Sequence, residues 1–202
     1  MVRQDEVRDV EHFSRWADTY EHSRIQGYID RIHDAMLEAV ASERGAPESV
    51  LDVGCGTGRL LRNVRRRWPS ARLVGVDPAE GMIAVARRLA PTVDFRVAPA
   101  ESLPVADASI DLAFSAVSFH HWTDQLRGLR EVARTLRPGG RLCLADIRMP
   151  GWVSKLLRSK AQSAPRMRRL IDQAGLELQA QRMIYARVIV VTTALKRATA
   201  AS

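Results

Sequence analysis

The stretch VLDVGCGTGRL, residues 50–60, constrains this chain more than any other. A short β-branched run ends there in three glycines at alternate positions, Gly54, Gly56 and Gly58, then passes into apolar residues at helical spacing. Glycines at a strand-to-helix turn let backbone N–H groups approach a ligand with no Cβ between. In a doubly wound sheet such turns lie at the carboxyl edge, where ligands bind. The spacing is G-x-G-x-G. The dinucleotide fingerprint needs G-x-G-x-x-G, and Arg59 stands at its third glycine, so a nicotinamide dinucleotide is disfavoured. Asp52 points the same way, because an acidic side chain near the loop repels pyrophosphate and attracts a cation. About 20 residues further on, Asp77 ends the next strand, where a carboxylate can accept hydrogen bonds from ribose hydroxyls. The pattern fits a nucleoside that carries positive charge.

Strand-like and helix-like segments alternate from about residue 49. SVLDVG, ARLVGVD, VDFRVA, SIDLAFSA and RLCLADI have strand character, with RPGG a turn before the last. Between them GTGRLLRNVRRRW, PAEGMIAVARRLA and DQLRGLREVARTL have helical spacing, with Pro78 suited to a first helical turn. Alternating units predict an α/β fold: a doubly wound, Rossmann-like parallel sheet with helices on both faces. Before it, residues 7–45 are amphipathic and aromatic-bearing, and predict two helices. After it, GWVSKLLRSKA predicts a short helix and APRMRRLIDQAGL a helix ended by Gly175. ELQAQRMIYARVIVVTTALK predicts two strands with a tight connection.

With 202 residues and 46% hydrophobic content, the chain can bury one substantial core and is not disordered. It is expected to form one domain, 1–202: a helical lid at 1–46, a ligand-binding core at 47–148 and a closing helix and hairpin at 149–202. The charged first residues and the short run VIVVTTAL predict no membrane span and a cytoplasmic location. Cys55 and Cys143 are too few for a disulfide framework and have no metal-ligand spacing. A net charge of +8 invites a nucleic-acid reading. The basic runs, such as Arg65–Arg67, fall on helix faces without interleaved aromatics, so a solvated surface is the favoured reading and nucleic acid a lesser one.

Four stretches in order, VLDVGCGTGRL, LVGVDPAEGMIAVARR, VDFRVAPAESLPVADASIDLAFSAVSFHHW and LREVARTLRPGGRLCLADI, resemble the successive motifs of class I S-adenosylmethionine-dependent methyltransferases. They are most similar to the small-molecule branch that includes quinone and sterol methyltransferases. The resemblance runs from about Phe13 to Ile147 and implies seven strands, the last hairpin antiparallel to the rest. It also implies S-adenosylmethionine as cofactor. Asp52 would lie near the methionine amino group, the backbone of Gly54, Cys55, Gly56 and Gly58 beside the methionyl chain and ribose, and Asp77, followed by Pro78, on the ribose hydroxyls. Met82 is either the residue packed on adenine or a core methionine. Family members usually carry an Asp two residues before Glu101 to accept the adenine amino group; here Pro99 stands there, leaving the backbone of Ala100, or Glu101, to substitute. The backbone carbonyl of Ser115 would point toward the cofactor amine.

In-line methyl transfer needs a positioned nucleophile, exclusion of water and, for some acceptors, a base. The candidates are the adjacent His120 and His121, which alternate in direction if the segment is extended. Each alone is expected to be structural; if one is the base, His121 is the choice. Pairing with Asp124 or Asp146 could suggest a metal, but no spacing supports one, and none is expected. HFSRWADTYEHS resembles the family's entry motif, with Glu21 where Asp is usual. Tyr20 is expected to close over the reacting centre as part of a lid, or to join Phe13 and Trp16 in a core stripe.

The segment after the fifth strand is too short for a large substrate domain, and Trp122, Met149 and Trp152 predict a partly apolar cleft. A small or lipophilic methyl acceptor fits. An asparagine-proline-proline signature, as in enzymes that methylate exocyclic or amide nitrogens, is absent after the fourth strand. Two other readings stay open: an RNA or protein methyltransferase, suggested by the charge, and a non-catalytic binder of the cofactor, suggested by Pro99.

Overall fold

A computed structural model describes residues 4–41, 45–148, 163–184 and 188–197. Two helices, α1 (Gln4–Tyr20) and α2 (Gln26–Ala41), precede the sheet. Then follow β1 (Ser49–Val53), α3 (Arg59–Arg67), β2 (Arg72–Asp77), α4 (Glu80–Leu89), β3 (Asp94–Val97) and β4 (Ile110–Ala116). A 3-10 turn (Phe119–His121), α5 (Gln125–Thr135), β5 (Leu136–Ile147), α6 (Ala164–Gln173), β6 (Leu176–Ile184) and β7 (Ile189–Lys196) complete the order. The helix expected over GWVSKLLRSKA and the connection between the last strands lie outside the described residues.

The seven strands form one sheet in the order β3-β2-β1-β4-β5-β7-β6. Neighbours from β3 to β5 are parallel, and β7 runs antiparallel to both β5 and β6. Every residue of β1 is buried, as expected of a strand covered on both faces. Its alternate side chains enter two cores. Val50 packs with Leu112, Phe114 and residues of α2, α3 and α4, including Met36, Leu61 and Ile83. Leu51 and Val53 pack with Ala113, Leu142 and residues of α5 and α6, including Leu129 and Ile171.

Two local expectations are corrected. The RPGG turn is absorbed into β5: Leu136 already pairs with Ile110, and the register to β4 then jumps to Leu112–Arg141, with Gly139 at φ 75° inside the irregularity. Pro78 does not open a helix. Asp77 Oδ1 accepts the Ala79 N–H at 2.9 Å, Ala79 holds extended angles at the N-cap, and α4 begins at Glu80.

Candidate active site

The glycine loop leaves β1 at the carboxyl edge of the sheet. Gly54, Gly56 and Gly58 all have positive φ, which L side chains rarely adopt. At Gly54 a second demand is added, because a Cβ there would lie 2.2 Å from Ser118 Oγ. At Gly56 a Cβ would meet nothing within 4 Å, so the loop faces open space on that side. The Gly54 and Cys55 N–H groups donate to Val76 O, at 2.7 and 3.1 Å, which ties the loop to the end of β2.

Two carboxylates sit under this loop. Asp77 Oδ2 accepts the Gly56 N–H at 2.8 Å, so Asp77 braces both the loop and the entry to α4. Asp52 Oδ1 is buried and has no hydrogen-bond partner among the described residues. Burial, reinforced by the charge of Asp77, pushes the Asp52 carboxyl up to about 8. Burial raises Asp77 to about 6, opposed by its two backbone N–H bonds. An unpartnered buried carboxylate is costly when ionised, and a cation beside it lowers that cost. The pair therefore fits a ligand with an ammonium group, as the methionyl end of S-adenosylmethionine has, and Asp77 lies beside the loop where ribose hydroxyls could share its oxygens.

The remaining predicted residues are distributed around this centre. Ala100 is buried, and its Cβ would touch a Cβ placed at Gly128. Glu101 Oε1 accepts the Asp124 N–H at 2.9 Å, so that carboxylate is engaged at the start of α5. Pro78 is exposed. Ser115 is fully buried at the end of β4, with its Oγ 2.9 Å from Ser118 Oγ, which itself donates to Val53 O. Met82 is buried with Ala17, Ala79 and Val85, against Val10, Phe13 and Tyr20. In this arrangement it is a packing residue beneath α1. Trp122, expected in the cleft, is instead buried in the core with Phe119 and Leu129.

α1 lies directly on α4. Gly81 permits this, since a Cβ there would stand 2.2 Å from Ser14 O. Tyr20 packs edge-on against Trp16, with ring centroids 4.9 Å apart, and burial raises its phenol pKa, helped by the charges of Asp77 and Glu21. The aromatic stripe is thus packed and also reaches the carboxylate centre. Just past α1, Glu21 accepts from Thr57 Oγ1 at 2.6 Å and pairs with Arg59 at 2.7 Å and with Arg62. Arg59 also makes a two-pronged pair with Asp30 of α2, at 2.7 and 2.8 Å. This network was not anticipated from sequence; the signal for it was an arginine at a fingerprint glycine position.

His120 and His121 do not lie on an extended segment but in the 3-10 turn, with ring centroids 4.1 Å apart. His120 Nδ1 is 2.6 Å from Asp146 Oδ1, and Asp146 Oδ2 accepts the His120 N–H at 2.7 Å. His121 meets the edge of Phe13 from α1 at 5.3 Å. Among the described residues no group of His, Cys, Asp and Glu is arranged to hold a metal ion.

Comparisons with known proteins agree with this geometry. Residues 51–144 match a family described as a methyltransferase domain. A malonyl-[acyl-carrier protein] O-methyltransferase from Hahella chejuensis is 38% identical over 145 residues, 71% of this chain and 50% of that protein. The chain spans about a third to a half of the first curated relatives it matches. Among solved structures, an S-adenosylmethionine-dependent methyltransferase from Thermotoga maritima has a TM-score of 0.70 at 23% identity, covering 92% of this chain and 98% of that one. Geranyl diphosphate C-methyltransferase from Streptomyces coelicolor, solved with S-adenosylhomocysteine, has a TM-score of 0.70 at 14% identity, covering 83% and 78%. Residues 51–144 thus match a methyltransferase domain, and the glycine loop, the paired carboxylates and the seven-stranded topology are similar to those of S-adenosylmethionine-dependent methyltransferases.

Proposed function

We propose that this protein transfers the methyl group of S-adenosylmethionine to a small acceptor, and that 1–202 acts as one unit with α1 and α2 as its lid. The observation that carries the reading is Asp52: a buried carboxylate with an orphaned oxygen, beside Asp77 and a glycine loop facing open space. Asp52 would neutralise the methionine ammonium and the loop backbone would line the methionyl chain. Asp77 would take the ribose, and the Ala100 backbone the adenine amino group. The cofactor supplies a sulfonium-activated methyl; the chain supplies binding, orientation and exclusion of water. Packed α1 provides the exclusion, with Tyr20 at its inner end.

The acceptor is read as small because, among the described residues, α1 and α2 close over the glycine-loop side of the sheet through Glu21 and Asp30. Among the described residues no helix is long and apolar enough to cross a membrane. Neither cysteine is in a disulfide and both are buried, which suits the reducing cytoplasm.

Transfer of labelled methyl from S-adenosylmethionine into fractionated cell extract tests the reading. Label in the small-molecule fraction is expected. Label confined to RNA or protein would transfer the reading to a macromolecular acceptor. A thermal shift with S-adenosylhomocysteine but no label in any fraction would leave a binding protein.

A further inference from the structure

The carboxyl ends of the adjacent strands β4 and β5 bring together a histidine and an aspartate that cofactor binding does not use. Asp146, 5% exposed, holds His120 twice: Oδ1 lies 2.6 Å from Nδ1, and Oδ2 accepts the backbone N–H at 2.7 Å. Oδ1 also accepts the Ile147 N–H at 2.6 Å, which fixes the carboxylate itself. A ring nitrogen bonded to a carboxylate is the protonated one, so the lone pair resides on Nε2. Among the described residues Nε2 has no hydrogen-bond partner, yet it is not among the sealed polar atoms, so it is accessible. Two residues earlier, Ser118 covers Gly54 and bonds Val53 O, which sets the turn against the glycine loop. The neighbouring His121 instead turns its ring to Phe13 of the lid.

We propose that His120, positioned by Asp146, is the general base of the methyl transfer, and that the acceptor is therefore a hydroxyl group rather than a carboxylate. The inference rests on the methyl-transfer reading above. A carboxylate, the group a malonyl acceptor offers, is already an anionic nucleophile with no proton to lose, and a base beside it would have no task. A hydroxyl is a poor nucleophile until its proton leaves. His120 Nε2 takes that proton as the acceptor oxygen bonds to the methyl carbon. The C–S bonding pair returns to sulfur, leaving S-adenosylhomocysteine and a methyl ether. The imidazolium so formed faces the Asp146 carboxylate, which is otherwise a buried charge. Its proton then passes to water from Nε2.

The test uses the intact protein and labelled S-adenosylmethionine, with the small-molecule fraction of an extract of its own cells and malonyl-acyl-carrier protein as two separate acceptors. Expected is label in the small-molecule fraction that survives mild alkali and is released as methyl iodide by hydroiodic acid, as an ether requires. His120→Gln should lower that transfer by about 10²–10⁴-fold, with S-adenosylhomocysteine affinity within twofold of the parent. The groups facing the His120 ring are Asp146 from β5 and His121 from its own turn. Asp146→Asn should lower kcat with KM and S-adenosylhomocysteine affinity unchanged, and Asp146→Glu should recover part of the loss, since the ring is then held again by a carboxylate; a merely structural aspartate would leave kcat in place. Label released as methanol by alkali, label that resists both treatments, or preferred transfer to malonyl-acyl-carrier protein would each overturn the proposal, with no variant needed. Undiminished transfer by a folded His120→Gln variant would do the same. Absence of label from every fraction would overturn the methyl-transfer reading itself, and this inference with it.

Discussion

Glu21 and Arg59 meet at 2.7 Å, and through that pair the end of α1 is fastened to the residue that follows the glycine loop. Thr57 Oγ1 reaches the other oxygen of Glu21, so loop and lid share one carboxylate. A third glycine at position 59 would have served a dinucleotide; the arginine instead pairs with Glu21 and with Asp30 of α2.

Replacing Arg59 with Met should loosen α1 without unfolding the sheet. The pairs are partly exposed, so their combined worth is about 1 kcal/mol, or a fall of roughly 2–4 °C in Tm. Proteolytic cleavage between residues 21 and 25 should accelerate, and S-adenosylhomocysteine affinity should drop several-fold. Unchanged cleavage would show that α1 is held by its apolar face alone.

Gly81→Ala tests the contact between the helices. The new methyl would stand 2.2 Å from a backbone oxygen, which cannot rotate away, so α1 must shift. A loss of about 1–3 kcal/mol is expected. Hydrogen exchange should locate it: amides of α1 exchange faster, while those of β1 and β4 keep their protection. Loss of protection throughout would mean that α1 is integral to the core.

Asp52 and Asp77 set a pH dependence of known sign. Burial raises both above the ordinary 3.8, to about 8 and about 6, so the folded protein retains protons that the unfolded chain has released. Their contribution to stability is complete below about pH 4 and is lost as pH rises through 6 and then 8. An ammonium-bearing ligand favours the ionised forms, so S-adenosylhomocysteine binding at pH 7 should release protons, measured as a binding heat that varies with buffer ionisation enthalpy. Asp52→Asn should remove most of that release. Equal heats in phosphate and Tris would contradict the assignment.

Pro99→Asp should supply a side-chain acceptor for adenine in addition to the Ala100 backbone. Glu101 is engaged with the Asp124 N–H and is poorly placed to help. One added hydrogen bond is worth about 1 kcal/mol, up to about tenfold in Kd, less the rigidity lost with proline. Calorimetry with S-adenosylhomocysteine and with an analogue lacking the 6-amino group should show the gain for the first only. Equal gains would place the effect in the loop rather than in the adenine contact.

Much of the fold was legible because parallel strands covered on both faces need mainly apolar, β-branched runs, and SVLDV and RLVGVD come close to that, each carrying one aspartate at or next to its carboxyl end. RPGG misled for a local reason. Its residues favour a turn, but the pairing of Leu136 with Ile110, 26 positions away, keeps the strand going around them. The placement of Asp52, Asp77 and the glycines was legible because it follows from a strand end and its turn. The lid network was not, since Glu21 and Arg59 are 38 positions apart and an ion-paired arginine on a helix looks like a solvated one. A pairing of His120 with Asp146 was weighed from sequence only as a metal site; the adjacency of β4 and β5 is what brings their ends together.

The sheet order also governs how the chain can be made. β7 is the last strand in sequence, yet it lies between β5 and β6. During synthesis, β1 to β5 can pair among themselves while β5 presents a bare row of N–H and C=O groups, the kind of edge on which other chains nucleate aggregation. Only when residues 189–196 have left the ribosome can that edge be sealed, by a strand of opposite direction. Residues 189–196 thus shield the growing sheet from its own copies.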